Sequence, residues 1–515
     1  MEEKKYLVTG TQMQAYDTYT IEHIGIPAMV LMERAALKTV QEIKELLSQK
    51  TKTESSVLCV CGTGNNGGDG LCVARLLLDE GIPVEIALIG SVEHLSREAD
   101  AQLSILKQYG VRWASHVPEA SYAVVVDALF GTGLSREVTG EYRQAIEEMN
   151  KKDALRISVD IPSGIHAGTG KVLGVAVKAE VTVCFAFFKR GVCLYPGALY
   201  AGRTVLADIG ITTRSFDGNI PDMYTRTGGV KEAFALLPGR RRDGNKGTFG
   251  KLLLVAGSGN MAGAALLSGA AAYRTGAGMV KLVIPERIRE IVQTKLPEAL
   301  IQVYEREEEL TGQEKESFAD NMAWADGIVT GPGLSCSESG KELLSLAIGC
   351  HDKPLLIDAD GLNLLAQSEA LQDQLRKRVL SGGKPVILTP HMGELARLLK
   401  RPVSRVTDAE TESAMEAAKN FGCIVVGKSA RTSVCEFGRE IFLNTAGNDK
   451  MATAGSGDVL SGIIGALSVQ GMSPFEAAEC GVYLHACAGD EAAEKADGAG
   501  LLASDLLKNL DWRQE

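Results

Sequence analysis

The sequence has no Cys-x-x-Cys pair, few aromatic residues and no surplus of positive charge. It also has no stretch of about 18 uninterrupted apolar residues. Each absence removes a class of protein. The 11 cysteines form an odd set, and Cys59, Cys61, Cys184 and Cys423 sit inside apolar, strand-like runs. They read as buried reduced thiols, with no disulfide framework or metal knuckle. No membrane span is expected, and the opening MEEKKYLVTG holds no apolar core of a secretion signal. The formal charge of -11 disfavours nucleic acid or an anionic membrane as partner. The expectation is a soluble, cytoplasmic protein.

Aromatics supply 5% of the residues while apolar residues reach 45%, so large cores can form with few rings in them. At 515 residues the chain is too long for one core, and two or three domains are expected. The 57 glycines follow no collagen-like period and suit many tight strand-to-helix turns.

The spacing of Met29, Met32, Ala36, Val40, Ile43 and Leu47 predicts an amphipathic helix over 26–48. Strand candidates at 56–61, 84–89, 123–126, 156–159, 181–185 and 204–207 alternate with helical stretches. That rhythm predicts a parallel sheet with helices on both faces. It breaks over 211–225, a polar stretch with Gly and Pro. A second α/β series follows at Leu252–Val255, Met279–Val283, Gly327–Thr330, Pro354–Ile357, Pro385–Leu388 and Ile424–Val426. Within it, Ala262–Arg274 reads as a helix closed by Gly276. The boundary falls near 215–225.

In the first half, Gly62-x-Gly64-x-x-Gly67 follows an apolar strand and precedes a helix expected over Leu71–Glu80. Its glycines would let backbone N–H groups approach an anion at the helix N-terminus. A conventional dinucleotide fold also needs an acid after the second strand, to hold the ribose. Here that strand, Val84–Ile89, ends in Gly90-Ser91, so the ribose acid is missing. Other polar groups gather at strand ends: Asn65, Asn66 and Asp69; Asp127, followed by Gly131-Thr132-Gly133-Leu134-Ser135; and Asp160, followed by Pro162-Ser163-Gly164. Singly, such residues form turns and caps. Three strand ends together favour a site, and its oxygen-only donors suit a hard cation better than zinc.

The motifs NNGGDG, VVDALFGTGL and SVDIPSG, in this order and spacing, resemble the N-terminal domain of the NAD(P)H-hydrate epimerases over about residues 8–215. The resemblance implies that this domain interconverts the R and S epimers of hydrated NADH or NADPH (NADHX, NADPHX) with potassium in the site. By motif, the hydrate would contact Asn65, Asn66, Gly67, Gly68, Asp69, Gly131, Thr132, Gly133, Leu134, Ser135, Arg136, Glu137 and Asp160. Potassium would be held by Asn66, Asp127 and Ser163. Epimerisation beside the ring nitrogen needs proton transfer, and Asp160 is the candidate acid/base. Lys189 either stabilises developing negative charge or is a solvated lysine at a strand end.

In the second half, NDKMATAGSGD (448–458) leads into an apolar helix expected over Val459–Leu467. Small residues and glycines at a helix N-terminus expose N–H donors to a transferring phosphoryl group. Asp458 in the first turn could accept the proton of an attacking hydroxyl, or simply stabilise the helix N-terminus. The motif resembles the G-[AS]-G-D signature of the ribokinase-like superfamily. Further motifs, NKGTFGKLLLVAGS, GAALLSGAAAYRTGAG, GPGL, DADGLN, LTPHMGE and GKSART, resemble the C-terminal dehydratase domain of NAD(P)H-hydrate repair proteins.

This second resemblance places the hydrate around Ala264, Gly333, His391 and Asp458. The adenine nucleotide would lie along Lys428, Ser429, Ala430, Arg431, Thr432 and Gly457. Lys428 and Arg431 supply charge suited to a diphosphate. Asp358 and Asp360 serve either a Mg²⁺ ion or the cap of the following helix. The implied chemistry is phosphorylation of the C6 hydroxyl by Mg²⁺-bound ADP, then loss of phosphate, with AMP released.

The expected fold class is therefore α/β in two domains. Residues 1–218 would form a Rossmann-like three-layer sandwich carrying the epimerase, and 224–515 a ribokinase-like domain carrying the dehydratase. The partners implied are small molecules (NADHX, NADPHX and ADP), and the assembly a homo-oligomer. The alternative is a small-molecule kinase of the hydroxymethylpyrimidine or hydroxyethylthiazole type, fused to a non-catalytic nucleotide-binding module.

Overall fold

The computed structural model of the chain describes residues 4–48, 56–306 and 308–510. The chain divides into two compact units, one spanning Lys5–Met223 and the other carrying the chain from Tyr224 on. Among the described residues, no helix is long and apolar enough to cross a membrane.

The first unit contains β1 (Lys5–Val8), β2 (Val57–Cys61), β3 (Val84–Leu88), β4 (Arg112–Ala114), β5 (Val124–Ala128), β6 (Leu155–Val159), β7 (Val181–Phe185), β8 (Phe188–Lys189) and β9 (Arg203–Ala207). Seven of them form a sheet in the order β4-β3-β2-β5-β6-β7-β9, with every neighbour parallel. The order reverses between β2 and β5. At such a switch point two loops leave the sheet in opposite directions and open a crevice at its carboxyl edge.

Side chains alternate across a strand, and β2 sorts its residues accordingly. Val57, Cys59 and Cys61 join one core with the helices Ala28–Ser48, Asn65–Asp79 and Arg97–Leu106. Leu58 and Val60 join a second core with Ala145, Ile146 and Met149 of the helix Gly140–Lys151. Burial on both faces explains why β2, β5 and β7 read as continuous apolar runs. The short parallel pair of β1 and β8 sets Val8 beside Lys189. Directly after β1 begins the helix Gly10–Tyr19.

After β10 (Met223–Thr225), at the division, come β11 (Lys251–Val255), β12 (Met279–Pro285), β13 (Leu300–Tyr304), β14 (Gly327–Thr330), β15 (Leu355–Ile357), β16 (Val386–Leu388), β17 (Ile424–Gly427), β18 (Ser433–Cys435) and β19 (Ile441–Leu443). They run in the order β13-β12-β11-β14-β15-β16-β17-β18-β19. Pairing is parallel as far as β17 and antiparallel from β17 to β19. The helix Ala262–Arg274 forms as its pattern predicts, and Gly276 after it takes φ 105°.

One helix starts earlier than expected. The stretch NNGGDG is not a loop; it is the opening of the helix Asn65–Asp79. Glycine is a poor helix former, yet close packing requires Gly67 and Gly70 here, and Gly68 adjoins the flexible end of Met32. A Cβ on Gly67 would sit 1.9 Å from the Gly62 carbonyl oxygen, one on Gly68 2.7 Å from Met32 Cε, and one on Gly70 2.4 Å from Ala128 Cβ. The helix can press onto β2 and β5 only without those methyl groups.

Candidate active sites

Each unit gathers polar side chains where strands end and one helix begins. Both helices lack a side-chain cap. Asn65–Asp79 starts from Gly64 and Ser456–Val469 from Gly455. No side chain closes either first turn, which leaves N–H groups for an anion, although the Ser456 N–H donates to the Thr453 carbonyl at 3.4 Å.

In the first unit β5 delivers Asp127, wholly buried. Its Oδ2 accepts the Ser158 hydroxyl at 2.7 Å and the Ser163 N–H at 2.8 Å, and its Oδ1 accepts the Leu129 N–H at 3.4 Å. All are neutral donors, and burial raises the carboxyl pKa against their pull. Ser163 Oγ accepts the Phe130 N–H at 2.9 Å, which ties down the start of the loop that runs from Gly131 to Glu137. Asn66, 8% exposed, has a buried Nδ2 without a partner and lies against Gly131. Asn65 is exposed, as are Gly133, Ser135, Arg136 and Glu137, whereas Gly67 and Gly68 are buried as packing surfaces. Gly10 brings its helix onto the same loop, since a Cβ there would lie 2.4 Å from the Thr132 carbonyl oxygen.

Asp160 follows β6 with φ 67°, a left-handed conformation that costs a non-glycine residue of the order of 1 kcal/mol. Its Oδ1 accepts the Phe185 N–H at 2.9 Å and a short bond from the Lys189 ammonium. Lys189 is 0% exposed and also donates to the Phe185 carbonyl at 2.9 Å. The solvated-lysine alternative is thereby overturned: β8 buries this ammonium beside Asp160.

Two more carboxyls share the pocket. Asp69 is held well above the usual carboxylate range by burial first, then by Asp160 and Asp17. Asp17, on the helix Gly10–Tyr19, is raised by burial, Asp160 and Glu98. Asp17 carried no signal in the sequence, because it belongs to no motif and only β1 and β8 bring its helix to the rim.

In the second unit Asp458 lies in the first turn of its helix, as expected, and burial followed by Asp358 pushes its pKa up to about 6. Lys428 does not stand free at the loop. Its Nζ bonds Asp358 Oδ1 at 2.6 Å, while Asp358 Oδ2 accepts the Ser461 hydroxyl at 2.6 Å. Burial works against the Lys428 charge, but Asp358, Glu394 and Asp458 together hold its pKa above the ordinary value. A Cβ on Gly457 would lie 3.3 Å from that Nζ, so the lysine reaches the turn that precedes Asp458. Gly333, at φ 59°, is pressed against Ala264, to whose Cβ its own would come within 2.7 Å.

His391 is the N-cap of the helix Met392–Leu398, its Nδ1 accepting the Gly393 N–H at 3.0 Å and the Glu394 N–H at 3.3 Å. An accepting Nδ1 carries no proton, so the neutral ring holds its proton on Nε2. Burial and then Lys428 lower the His391 pKa, which keeps the ring neutral. Glu394, in the quoted motif but not singled out from sequence, is buried and pushed up to about 7 by burial. The turn 428–432 is closed by Ser429 and Thr432, and Arg431 Nη1 donates to the Thr445 carbonyl at 3.1 Å. Asp358 makes no side-chain cap, and Asp360 accepts the Ser335 N–H at 2.9 Å and Asn363 Nδ2 at 3.2 Å.

Comparison with known proteins adds the following. The family model for NAD(P)H-hydrate dehydratase matches residues 252–511, and that for the YjeF-related protein N-terminus matches 28–191. A bifunctional NAD(P)H-hydrate repair enzyme from Moorella thermoacetica is 35% identical over 98% of this chain and 96% of its own length. Its counterpart from Escherichia coli is 36% identical over 88% and 84%. A solved structure of the ADP/ATP-dependent NAD(P)H-hydrate dehydratase from Bacillus subtilis, co-crystallised with ATP/Mg²⁺, is 30% identical and covers 54% of this chain and 94% of that one, at a TM-score of 0.45. The alternative of a small-molecule kinase fused to a non-catalytic nucleotide-binding module gives way to a repair enzyme matched over nearly the whole chain. With two family models in the chain's own order and full-length relatives above 30% identity, the chain belongs to the bifunctional NAD(P)H-hydrate repair enzymes, which epimerise hydrated NADH and NADPH and dehydrate them in a nucleotide-dependent reaction.

Proposed function

We propose that epimerisation occurs at the carboxyl rim of the first sheet, within a domain of residues 1–218, and dehydration at the mouth of the helix Ser456–Val469, within 224–515. The observation that carries the second assignment is Asp458: a half-buried carboxylate in the first turn of an uncapped helix, with a pKa of about 6 that suits a base near neutrality.

At the dehydratase site Asp458 takes the proton of the C6 hydroxyl as its oxygen attacks the terminal phosphoryl group of ADP. The N–H group of Gly457 faces the charge that builds on the phosphoryl oxygens. Phosphate then leaves C6, driven by the ring-nitrogen lone pair, a proton leaves C5, and the reduced nicotinamide is restored with release of AMP and phosphate. Ala264 and Gly333 give the hydrate a flat wall, and neutral His391 offers an Nε2–H donor. The adenine nucleotide lies along Lys428 to Thr432 and Gly457.

Among the described residues no group of three or more His, Cys, Asp or Glu is arranged to hold a metal ion. Both Asp358 oxygens are taken by Lys428 and Ser461. Mg²⁺ therefore fits as a passenger on the nucleotide phosphates, where it neutralises charge, and not as an ion held by this chain.

At the epimerase site the uncapped N-terminus of Asn65–Asp79 receives the hydrate's diphosphate, and the Gly131–Glu137 loop covers it. Asp160, which accepts a hydrogen bond from the buried Lys189 ammonium, takes the proton of the C6 hydroxyl. Asn66, Asp127 and Ser163 suit potassium: each offers an oxygen, and Asp127 is a buried carboxylate met only by neutral donors. The ion would fix a phosphate or hydroxyl oxygen of the hydrate. The test is incubation with mixed R and S hydrates plus ADP, with both epimers followed by chromatography. Consumption of both supports two sites; survival of the R form refutes the epimerase assignment.

A further inference from the structure

The acid that a conventional dinucleotide fold carries after its second strand is missing here, and another side chain stands in its place. The position is Gly90, just beyond β3, with φ 99°. A Cβ there would lie 2.3 Å from Tyr142 Oη and 3.1 Å from Thr63 Cγ2. Tyr142 reaches this point from the helix Gly140–Lys151, and its ring packs on Phe130 with centroids 4.9 Å apart. The Phe130 N–H is in turn bonded to Ser163 Oγ at 2.9 Å. A phenol from another element thus fills the volume that a ribose acid would need. Its hydroxyl makes no hydrogen bond among the described residues.

The strand order indicates which part of the hydrate comes to this point. Along the carboxyl edge stand Asp160 after β6, Asp127 on β5, the helix start after β2 and Gly90 after β3. These strands are neighbours in the order β6-β5-β2-β3. Paired strands lie about 4.8 Å apart, so the edge from β6 to β3 spans about 14 Å. With the reacting C6 at Asp160 and the diphosphate at the start of Asn65–Asp79, the adenosine half continues in the same direction. Its ribose then comes to the end of β3, where sheets of this order meet the ribose 2′ position.

We propose that Tyr142 meets the adenosine ribose of the hydrate at its 2′ position and, being neutral, lets the epimerase site take a 2′-hydroxyl and a 2′-phosphate alike. This rests on the epimerase reading above. A carboxylate at this place would accept from a 2′-hydroxyl and repel a 2′-phosphate. A phenol both accepts and donates, so it bonds either group and carries no charge to reject one of them. The 2′ position is remote from C6, so the contact is the same in the ground and transition states. Its loss falls on KM and not on kcat.

The experiment uses the full chain without ADP and follows R-to-S conversion of pure R-NADHX and pure R-NADPHX by chromatography. The readout is the ratio of kcat/KM for NADPHX to that for NADHX, which does not depend on how much of a variant has folded. Tyr142→Glu is expected to lower this ratio about tenfold or more, because a carboxylate then faces the 2′-phosphate. Tyr142→Lys should raise it. Tyr142→Phe keeps the ring on Phe130 and should raise both KM values about fivefold, the scale of one neutral hydrogen bond, with the ratio unmoved. A merely structural role would lower the rates for both hydrates together and leave the ratio in place in all three variants. The proposal is overturned if the ratio stays within twofold of the unaltered chain in both charged variants, or if Tyr142→Phe leaves both KM values unchanged. If the unaltered chain interconverts the epimers of neither hydrate, the epimerase reading falls and the proposal with it.

Discussion

The two sites use the same helix device in different charge surroundings. Both place an uncapped, glycine-started helix N-terminus at the end of a parallel sheet. In the first unit the lysine is wholly buried and bonded to Asp160; its charge opposes the rise of Asp17 and Asp69, but burial and neighbouring carboxyls still raise both. In the second, Lys428 is shared among Asp358, Glu394 and Asp458, so Asp458 rises only to about 6 and stays usable as a base near neutral pH.

The largest contrast is expected from Asp458→Asn, which should cut nucleotide-dependent recovery of NADH about a thousandfold, the scale of a lost general base. Chromatography of the same samples should still show R–S interconversion; joint loss would mean that the two sites are not independent. Next, Lys189→Met strands Asp160 as a buried charge, at a cost of about 3 kcal/mol. Denaturant unfolding should show the first unit melting early, and an unchanged midpoint would deny that the ion pair matters. Gly67→Ala drives a Cβ to 1.9 Å from the Gly62 carbonyl oxygen, backbone against backbone. The displaced helix should slow epimerisation on the order of a hundredfold, the effect of an ångström's misplacement.

The smallest effect is on pH. The active form of Asp458 is the carboxylate, so dehydration should decline as pH falls below about 6, the value its burial sets.

The sheet strands were legible because strands buried on both faces carry unbroken apolar runs, as at Val57–Cys61 and Val124–Ala128. Short edge strands such as Arg112–Ala114 and Leu300–Tyr304 were not, since a half-exposed run of three to five residues has no periodicity to detect. The helix at Asn65 began early because tertiary contact selected glycines that propensity would reject.

The sequence by itself determined two α/β units, the glycine turns at the two helix starts, the strand-end acids Asp127 and Asp160 and the helix-start acid Asp458, because strand period and glycine turns are local properties. Only the tertiary structure decided which carboxyl holds a proton. Asp17, Lys189, Glu394 and Lys428 take their roles from neighbours far along the chain, and burial and charge proximity exist only once the strands have been brought side by side.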